Sequence, residues 1–378
     1  NRVCGDDELM EWSKASQYNS FNSTKGLAYT PQYRQIVGWL DGKGKLPPPI
    51  ECNLDPIAEC NLKCYFCITQ RYLRNHREEV ETRKLPLDYM IRLVDFLAEW
   101  GVKGLCISGG GEPSLHEDIP EVIIHAHEMG LDVAFVTNAT NINAELREAL
   151  MLCRWVALSV DAASGKTYAT IKGTDRFDLV KKNIASLANF RHQVGASVDL
   201  CFKFLLLPEN QSEIYDACKL AKSLGVQDFH VRPVDFERSD INGAKPLTYD
   251  LPAIYAQFQQ CHEEETLDFH VYTVTHKFDS EFHVKHDFEQ CLAAPLILPL
   301  LADGNAYLCV EHKMEAGYRV GSGYPDPESI LDWWGADAYR DMAKSIVPQS
   351  HCSRCIYSEY QRQIEEAVIK DRMCLSFP

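Results

Sequence analysis

Cys60, Cys64 and Cys67 spell C-x3-C-x2-C in the run Cys60-Asn61-Leu62-Lys63-Cys64-Tyr65-Phe66-Cys67. Three closely spaced thiolates can hold three irons of a cubane [4Fe–4S] cluster and leave the fourth iron open to a small molecule. A structural zinc site needs a fourth Cys or His nearby. The nearest, His76, fits no common zinc spacing. The triplet therefore points to a reactive iron–sulfur site. A second set follows far downstream. Cys291 and Cys309 are separated by seventeen residues, Gly304 precedes Cys309 by five, and Cys352-Ser353-Arg354-Cys355 closes the set. Four cysteines can saturate a second cluster or build a zinc ribbon, and spacing alone leaves both open.

Other polar residues stand where strand-like runs end. Gly104–Ser108 runs into Gly109-Gly110-Gly111-Glu112-Pro113. Consecutive glycines let a ligand approach the backbone, and the Glu112 carboxylate can accept from an ammonium group. Asn138, Ser159 and Asp161 end two further runs and could hold a ribose or the polar end of an amino acid. Ordinary strand-end capping is the bland alternative. Lys203 sits inside an apolar run and needs an anion or a polar cavity. Arg232 suits a carboxylate and Asp235 a polar substrate. His262, His270, His276, His283 and His286 match no helical metal pair and read as solvated or packing residues. Trp333-Trp334 near Tyr339 reads as packing.

These residues need a scaffold. Apolar runs at 51–57, 104–108, 131–137, 154–160, 196–207 and 226–232 predict strands. Helical patterns fall near 87–100, 117–129, 143–152, 177–192 and 211–224, and Gly101, Gly130, Gly195 and Gly225 stand where helices should stop. Six βα repeats predict an α/β fold, a partial (β/α)6 TIM-like barrel. The cysteine triplet then follows the first strand, at the end where such barrels carry their sites. Residues 1–50 read as a lead-in ending in the stiff Leu46-Pro47-Pro48-Pro49 stretch. The barrel occupies 51–235 and a connector with a helix near 250–265 fills 236–290. A small C-terminal iron–sulfur domain spans 291–378, where Asp303-Gly304-Asn305 predicts a hairpin turn and the last helix lies near 357–371.

Composition narrows the setting. The chain has 378 residues, 46% of them hydrophobic, and fifteen cysteines. With no signal-peptide pattern and no membrane-length apolar run, the grouped cysteines predict metal ligation in a reducing cytoplasm. Cys106, Cys153 and Cys201 lie in or beside apolar runs and read as small core residues. The net charge of −16 argues against a nucleic-acid partner. Arg71, Arg74, Arg77, Arg83 and Lys84 alternate with acidic residues, as on a solvated face.

The triplet, Gly110-Gly111-Glu112-Pro113 and the βα units resemble the radical S-adenosylmethionine (SAM) superfamily. The resemblance covers about residues 51–235. It implies that Cys60, Cys64 and Cys67 bind a [4Fe–4S] cluster, with Phe66 the aromatic residue before the last cysteine. The open iron would take S-adenosylmethionine, and its reductive cleavage would yield a hydrogen-abstracting 5′-deoxyadenosyl radical. Gly110, Gly111 and Glu112 would hold the methionine amino group. The strand-end residues Asn138, Ser159, Asp161 and Lys203 are read as the rest of the cofactor site, and Arg232 and Asp235 as the catalytic pair. The second cysteine set resembles the shortened "twitch" form of the SPASM extension, as in the 2-deoxy-scyllo-inosamine dehydrogenase family. That implies one auxiliary [4Fe–4S] cluster on Cys291, Cys309, Cys352 and Cys355, with Cys374 a possible substitute ligand. The implied activity is oxidation of a polar small molecule, with a flavodoxin- or ferredoxin-type electron donor. Epimerisation, peptide maturation and a non-catalytic iron–sulfur module are the alternatives.

Overall fold

Short strands of period two alternate with longer helices of period 3.6, and glycines mark the change. Pro86 precedes the helix Leu87–Trp100, which buries Tyr89, Met90, Leu93, Val94 and Leu97 on one face. Gly101 ends it at φ +98°, a left-handed conformation that glycine takes without a Cβ penalty. Gly130, Gly195 and Gly225 close later helices the same way. The structure, a computed structural model, describes residues 26, 28–67, 84–234, 248–273, 282, 288–352 and 355–370.

In chain order the first half holds α1 (Thr30–Leu40), β1 (Glu51–Leu54), α2 (Leu87–Trp100), β2 (Gly104–Ile107), α3 (Ile119–Glu128), β3 (Asp132–Thr137), α4 (Ala144–Leu150) and β4 (Trp155–Ser159). Then come α5 (Gly165–Lys172), α6 (Phe177–Val194), β5 (Asp199–Leu206), α7 (Ile214–Ser223), β6 (Asp228–Pro233), α8 (Leu251–Glu263) and β7 (His270–Thr273). The C-terminal part contributes β8 (Ile297–Leu300), β9 (Asn305–Tyr307), β10 (Arg319–Ser322), α9 (Ile330–Trp333), α10 (Asp337–Ser345), α11 (Pro348–His351), α12 (Ser358–Ile364) and a π-helical turn at Glu365–Lys370.

One ten-stranded sheet results, in the order β10-β9-β8-β1-β2-β3-β4-β5-β6-β7. Strands β1 to β7 run parallel, each beside the next, as successive βα units dictate. This is the parallel-dominated α/β sheet of a partial TIM barrel. The structure adds strands that the sequence pattern does not predict. β7 extends one edge, out of the stretch expected to be only a connector and its helix. β8 pairs parallel with β1 on the other edge, and the antiparallel β9 and β10 follow it. The four-residue β7 is too short for periodicity to reveal, and the local pattern of the expected hairpin does not show that its first strand joins β1. The predicted hairpin is present, with Gly304 at φ +77° between β8 and β9.

Alternate strand residues divide the two faces. Leu105, Ile107, Val133, Phe135, Val156, Leu158, Phe202 and Phe204 pack with the helices into the main core. Their neighbours on the other face include Asn53, Cys106, Ser159, Lys203, His230 and Arg232. A barrel whose concave face is this polar is built to enclose something polar.

The N-terminal lead-in differs from the expected extended stretch. Residues 30–40 form α1, with Tyr33, Ile36, Trp39 and Leu40 buried. This face enters a second core with Leu292, Leu296, Leu308, Tyr339 and Ala343. The proline run dominates the local pattern, but the Tyr33/Ile36/Leu40 spacing is that of a helix face. Trp39 Nε1 donates to Gly335 O at 2.7 Å, and its ring lies 5.4 Å from that of Tyr339. α5, equally unpredicted, is capped by Ser164, whose side chain accepts from Thr167 N. Replacing Trp39 with Ala should cost about 3–5 kcal/mol, as for other large core truncations, read as a lower urea midpoint at unchanged slope.

Candidate functional site

β1 ends at Leu54, and the chain then crosses the C-terminal ends of the strands through Cys60–Cys67. The loop is tied locally. Leu62 N donates to Cys60 Sγ at 3.5 Å, Cys67 N to Cys64 O at 3.3 Å and Lys63 N to Lys172 O at 2.9 Å. Burial pushes the Cys60 thiol up to about 11, partly opposed by the Leu62 amide; the charges of Glu112, Cys64 and Cys67 raise it further. The three sulfurs thus lie within electrostatic reach of one another, as ligands of one group must. Among the described residues no three His, Cys, Asp or Glu side chains converge as the ligands of a single ion do. A cubane is gripped at separate corners, so its thiolates stand farther apart than those around one metal. The triplet fits such a cluster, and binding would displace the thiol protons.

The glycine turn after β2 is docked onto this loop. Glu112 N donates to Glu59 O at 2.7 Å. A Cβ on Gly111 would stand 2.2 Å from Glu59 O and 2.6 Å from Ile57 O, so backbone fills the space of any side chain. The Glu112 carboxylate is buried and already engaged. Oε1 accepts from Ser114 N at 3.1 Å and from Thr137 Oγ1 at 2.5 Å, and Oε2 accepts from Asn138 N at 2.7 Å. Burial raises its pKa, and these hydrogen bonds oppose the rise. Glu112 therefore clamps the ends of β2 and β3 together.

Asn138 faces the cysteine loop. Its Nδ2 lies 3.9 Å from Cys60 Sγ and donates to Asn61 Oδ1 at 2.9 Å; its Oδ1 accepts from Thr140 N and Oγ1. Ser159 ends β4 in register with Lys203. Asp161 follows at φ +61° with both carboxylate oxygens in use: Oδ1 accepts from Leu205 N at 2.7 Å, and Oδ2 pairs with Lys172. Phe66 stands 5.5 Å, ring centre to ammonium, from that same lysine. Asp161 thus serves the internal structure of the rim as well as facing it.

Lys203 and Arg232 share the concave face with His230. Lys203 Nζ meets His230 Nδ1, and burial lowers the lysine's pKa, with Arg232 adding to the fall. Tyr272 of β7 lies edge-on to His230 at 6.5 Å. Asp235 lies outside the described residues, as do His76, His276, His283, His286, Cys374 and the arginines between 71 and 83. His262 is buried and bonds Thr273, and His270 bonds Asp228, as packing histidines do.

At the other centre the four downstream cysteines lie within electrostatic reach of one another. The Cys309 thiol is raised by burial, then by Glu311, Cys291 and Cys355; Cys352 is pushed up to about 12 by burial, with Cys291 adding to it. The set is thereby linked into one group. His312 joins it, with Nε2 3.7 Å from Cys352 Sγ and its ring stacked on Tyr318 at 3.9 Å. Lys313, next along, reaches into the barrel. Its Nζ donates to Asp55 Oδ1 at 2.8 Å and Asn53 Oδ1 at 2.6 Å, and Ser108 Oγ donates to the same two oxygens. Asp55 Oδ2 is buried with no hydrogen-bond partner. A cavity of about 500 Å³ opens at the N-terminal ends of the strands, beside Glu51, Asp132, Trp155, Asp199 and Tyr357.

No sequence motif singles out Lys172, Lys313, Asp55 or His230. Lys313, four residues beyond Cys309, is the one whose position hints at a role, since it follows a ligand candidate directly.

Comparison with known proteins places this geometry. Residues 55–231 match the family model of the Radical SAM superfamily. A probable GTP 3′,8-cyclase of Metallosphaera sedula is 28% identical over 188 residues, 48% of this chain and 55% of that protein. An AdoMet-dependent heme synthase of Methanosarcina barkeri is 28% identical over 179 residues, 46% of this chain and 47% of that protein. The matches span about half the length of these curated relatives. Among solved structures, Streptococcus suis SuiB bound to the precursor peptide SuiA has a TM-score of 0.61 at 19% identity, over 83% of this chain and 70% of that one. The enzyme anSMEcpe with bound AdoMet has a TM-score of 0.55 at 12% identity, over 78% of this chain and 83% of that one. These two show a shared fold.

The clamp by Glu112 generates a prediction. Glu112→Gln keeps the shape but replaces one acceptor oxygen by a donor facing Asn138 N or Ser114 N. It should lower stability by about 1–3 kcal/mol while leaving iron content per chain unchanged, as chemical denaturation and iron analysis would report.

Proposed function

We propose that this chain, whose residues 55–231 match the family model of the Radical SAM superfamily, is an enzyme that oxidises a polar small molecule through two iron–sulfur clusters. Cys60, Cys64 and Cys67 hold the first [4Fe–4S] cluster. A cluster held there would supply the electron for reductive cleavage of S-adenosylmethionine to a 5′-deoxyadenosyl radical. The glycine turn presents the Gly110 and Gly111 backbone to the cofactor's methionine end, and Glu112 fixes the turn. Asn138, Ser159 and Asp161 form the rim that faces its ribose. Lys203 on β5 completes the cofactor site, and Arg232 on β6, together with Asp235, acts on the substrate. Oxidation of an alcohol carbon then balances as one hydrogen atom to the radical, one proton to a basic side chain and one electron outward. Cys291, Cys309, Cys352 and Cys355 would hold an auxiliary cluster, which would supply an acceptor for this electron. A flavodoxin- or ferredoxin-type protein supplies the electron for the first step.

The observation that carries this reading is the docking of the β2 glycine turn on the cysteine loop, where Glu112 N meets Glu59 O at 2.7 Å. It puts close-approach backbone beside the three thiols, which a purely structural cluster would not require. A peptide substrate is the second reading. It is favoured by the likeness to SuiB, which extends over 83% of this chain and so reaches beyond the barrel.

Two variants test the assignments. Replacing Cys60, Cys64 and Cys67 together with Ala should remove about four irons per chain and abolish 5′-deoxyadenosine formation from S-adenosylmethionine and a reductant. A binding module without turnover would form none even in the unaltered protein. Cys309→Ala should still form 5′-deoxyadenosine in the presence of substrate but fail to complete the oxidised product. A zinc ribbon would instead show zinc and only about four irons per chain in the unaltered protein. An epimerase would keep its product in the Cys309→Ala variant.

A further inference from the structure

Lys172 ends α5 deep beneath the cysteine loop. Its side chain is 3% exposed and the carboxylate of its ion-pair partner, Asp161, 5%. Its backbone oxygen accepts from Lys63 N at 2.9 Å, the residue before Cys64. Its ammonium lies 5.5 Å from the Phe66 ring centre, the residue before Cys67. The next residue, Gly173, is pressed against Lys63 so closely that a Cβ there would stand 2.8 Å from Lys63 O. A buried cation is therefore locked to the loop at two points, flanking both Cys64 and Cys67. Charge and hydrogen bonding around a cluster set its reduction potential.

We infer that Lys172, held in place by Asp161, fixes a positive charge beside the first cluster and raises that cluster's reduction potential. Reduction adds one negative charge to the cluster, and a nearby cation stabilises the reduced form. The pair is oriented for this. The Asp161 carboxylate is tied to β5, where Oδ1 accepts from Leu205 N at 2.7 Å, while the Lys172 ammonium stands 5.5 Å from the Phe66 ring in the cysteine loop.

The inference rests on the assignment of Cys60, Cys64 and Cys67 to a cluster, which iron analysis of their Ala variant checks separately. The test is a potentiometric titration followed by electron paramagnetic resonance, without substrate, of the reduced signal that changes on adding S-adenosylmethionine. Lys172→Met should lower the reduction equilibrium constant at least tenfold, about 59 mV for a one-electron couple. Lys172→Arg keeps the charge and should stay within about threefold of the unaltered protein, less than half that shift. Asp161→Asn removes the opposing charge and should move the constant upward. A purely structural role would not give shifts of opposite sign from the two ends of one ion pair. If Lys172→Met fails to take up iron because Asp161 is stranded, the double variant Asp161→Asn/Lys172→Met removes both charges, and a downward shift smaller than tenfold is expected, because loss of the Asp161 charge partly offsets loss of the cation. Shifts of the same sign in the two single variants, or an unchanged potential in the Met and double variants, would overturn the inference.

Discussion

A backbone-to-backbone contact at the top of β1 and β2 governs the arrangement of the rest. Glu112 N meets Glu59 O at 2.7 Å, and no Cβ fits at Gly111. The loop with the cysteine triplet and the loop with the glycine turn therefore behave as one body. Glu112 extends that body to β3 through Thr137 and Asn138. Asn138 returns to the cysteine loop through Asn61. Lys172 and Asp161 close the far side through Lys63 and Leu205. Four strand ends are thus cross-linked around the thiols by hydrogen bonds that are mostly buried, where their net worth is greatest and an unmade bond costs most.

The barrel was legible because its signals are local. Apolar runs, amphipathic helix faces and glycine stops each follow from neighbouring residues, so the helix expected near 87–100 is found at Leu87–Trp100 and the six expected strands are all present. The triplet and the glycine turn were legible for the same reason, since their chemistry depends on spacing within a few residues. What stayed hidden is non-local. α1 is a helix whose apolar face means little until Tyr339 and Leu292 cover it. β7 and β8 are four residues each and gain their identity from pairing with β6 and β1. Lys172 and Lys313 look like surface lysines in one dimension. Only the fold reveals that each is buried against a carboxylate. Glu112 was visible as a ligand candidate, but its three internal donors are brought from Ser114, Thr137 and Asn138 by the strand register.

The charged groups show how a polar interior is stabilised. A buried ion pair contributes little net stability, yet removing one partner strands the other at a cost of about 3–5 kcal/mol. Asp161–Lys172 and Asp55–Lys313 are both of this kind. Each carboxylate accepts a further hydrogen bond, from Leu205 N in one case and from Ser108 Oγ in the other. Such pairs hold loops in one geometry more than they hold the fold together. Both connect the cysteine-bearing segments to the barrel, one at each centre.

Lys313 also bears on how the chain is assembled over time. During synthesis the ribosome releases β1 through β6 long before residue 313 emerges. Throughout that interval Asp55, wholly buried in the finished protein, lacks its ammonium partner. A nascent barrel must keep that carboxylate hydrated or protonated, so its concave side stays unfinished and water-filled. Arrival of the late segment seats the lysine and joins β8 to the exposed edge of β1.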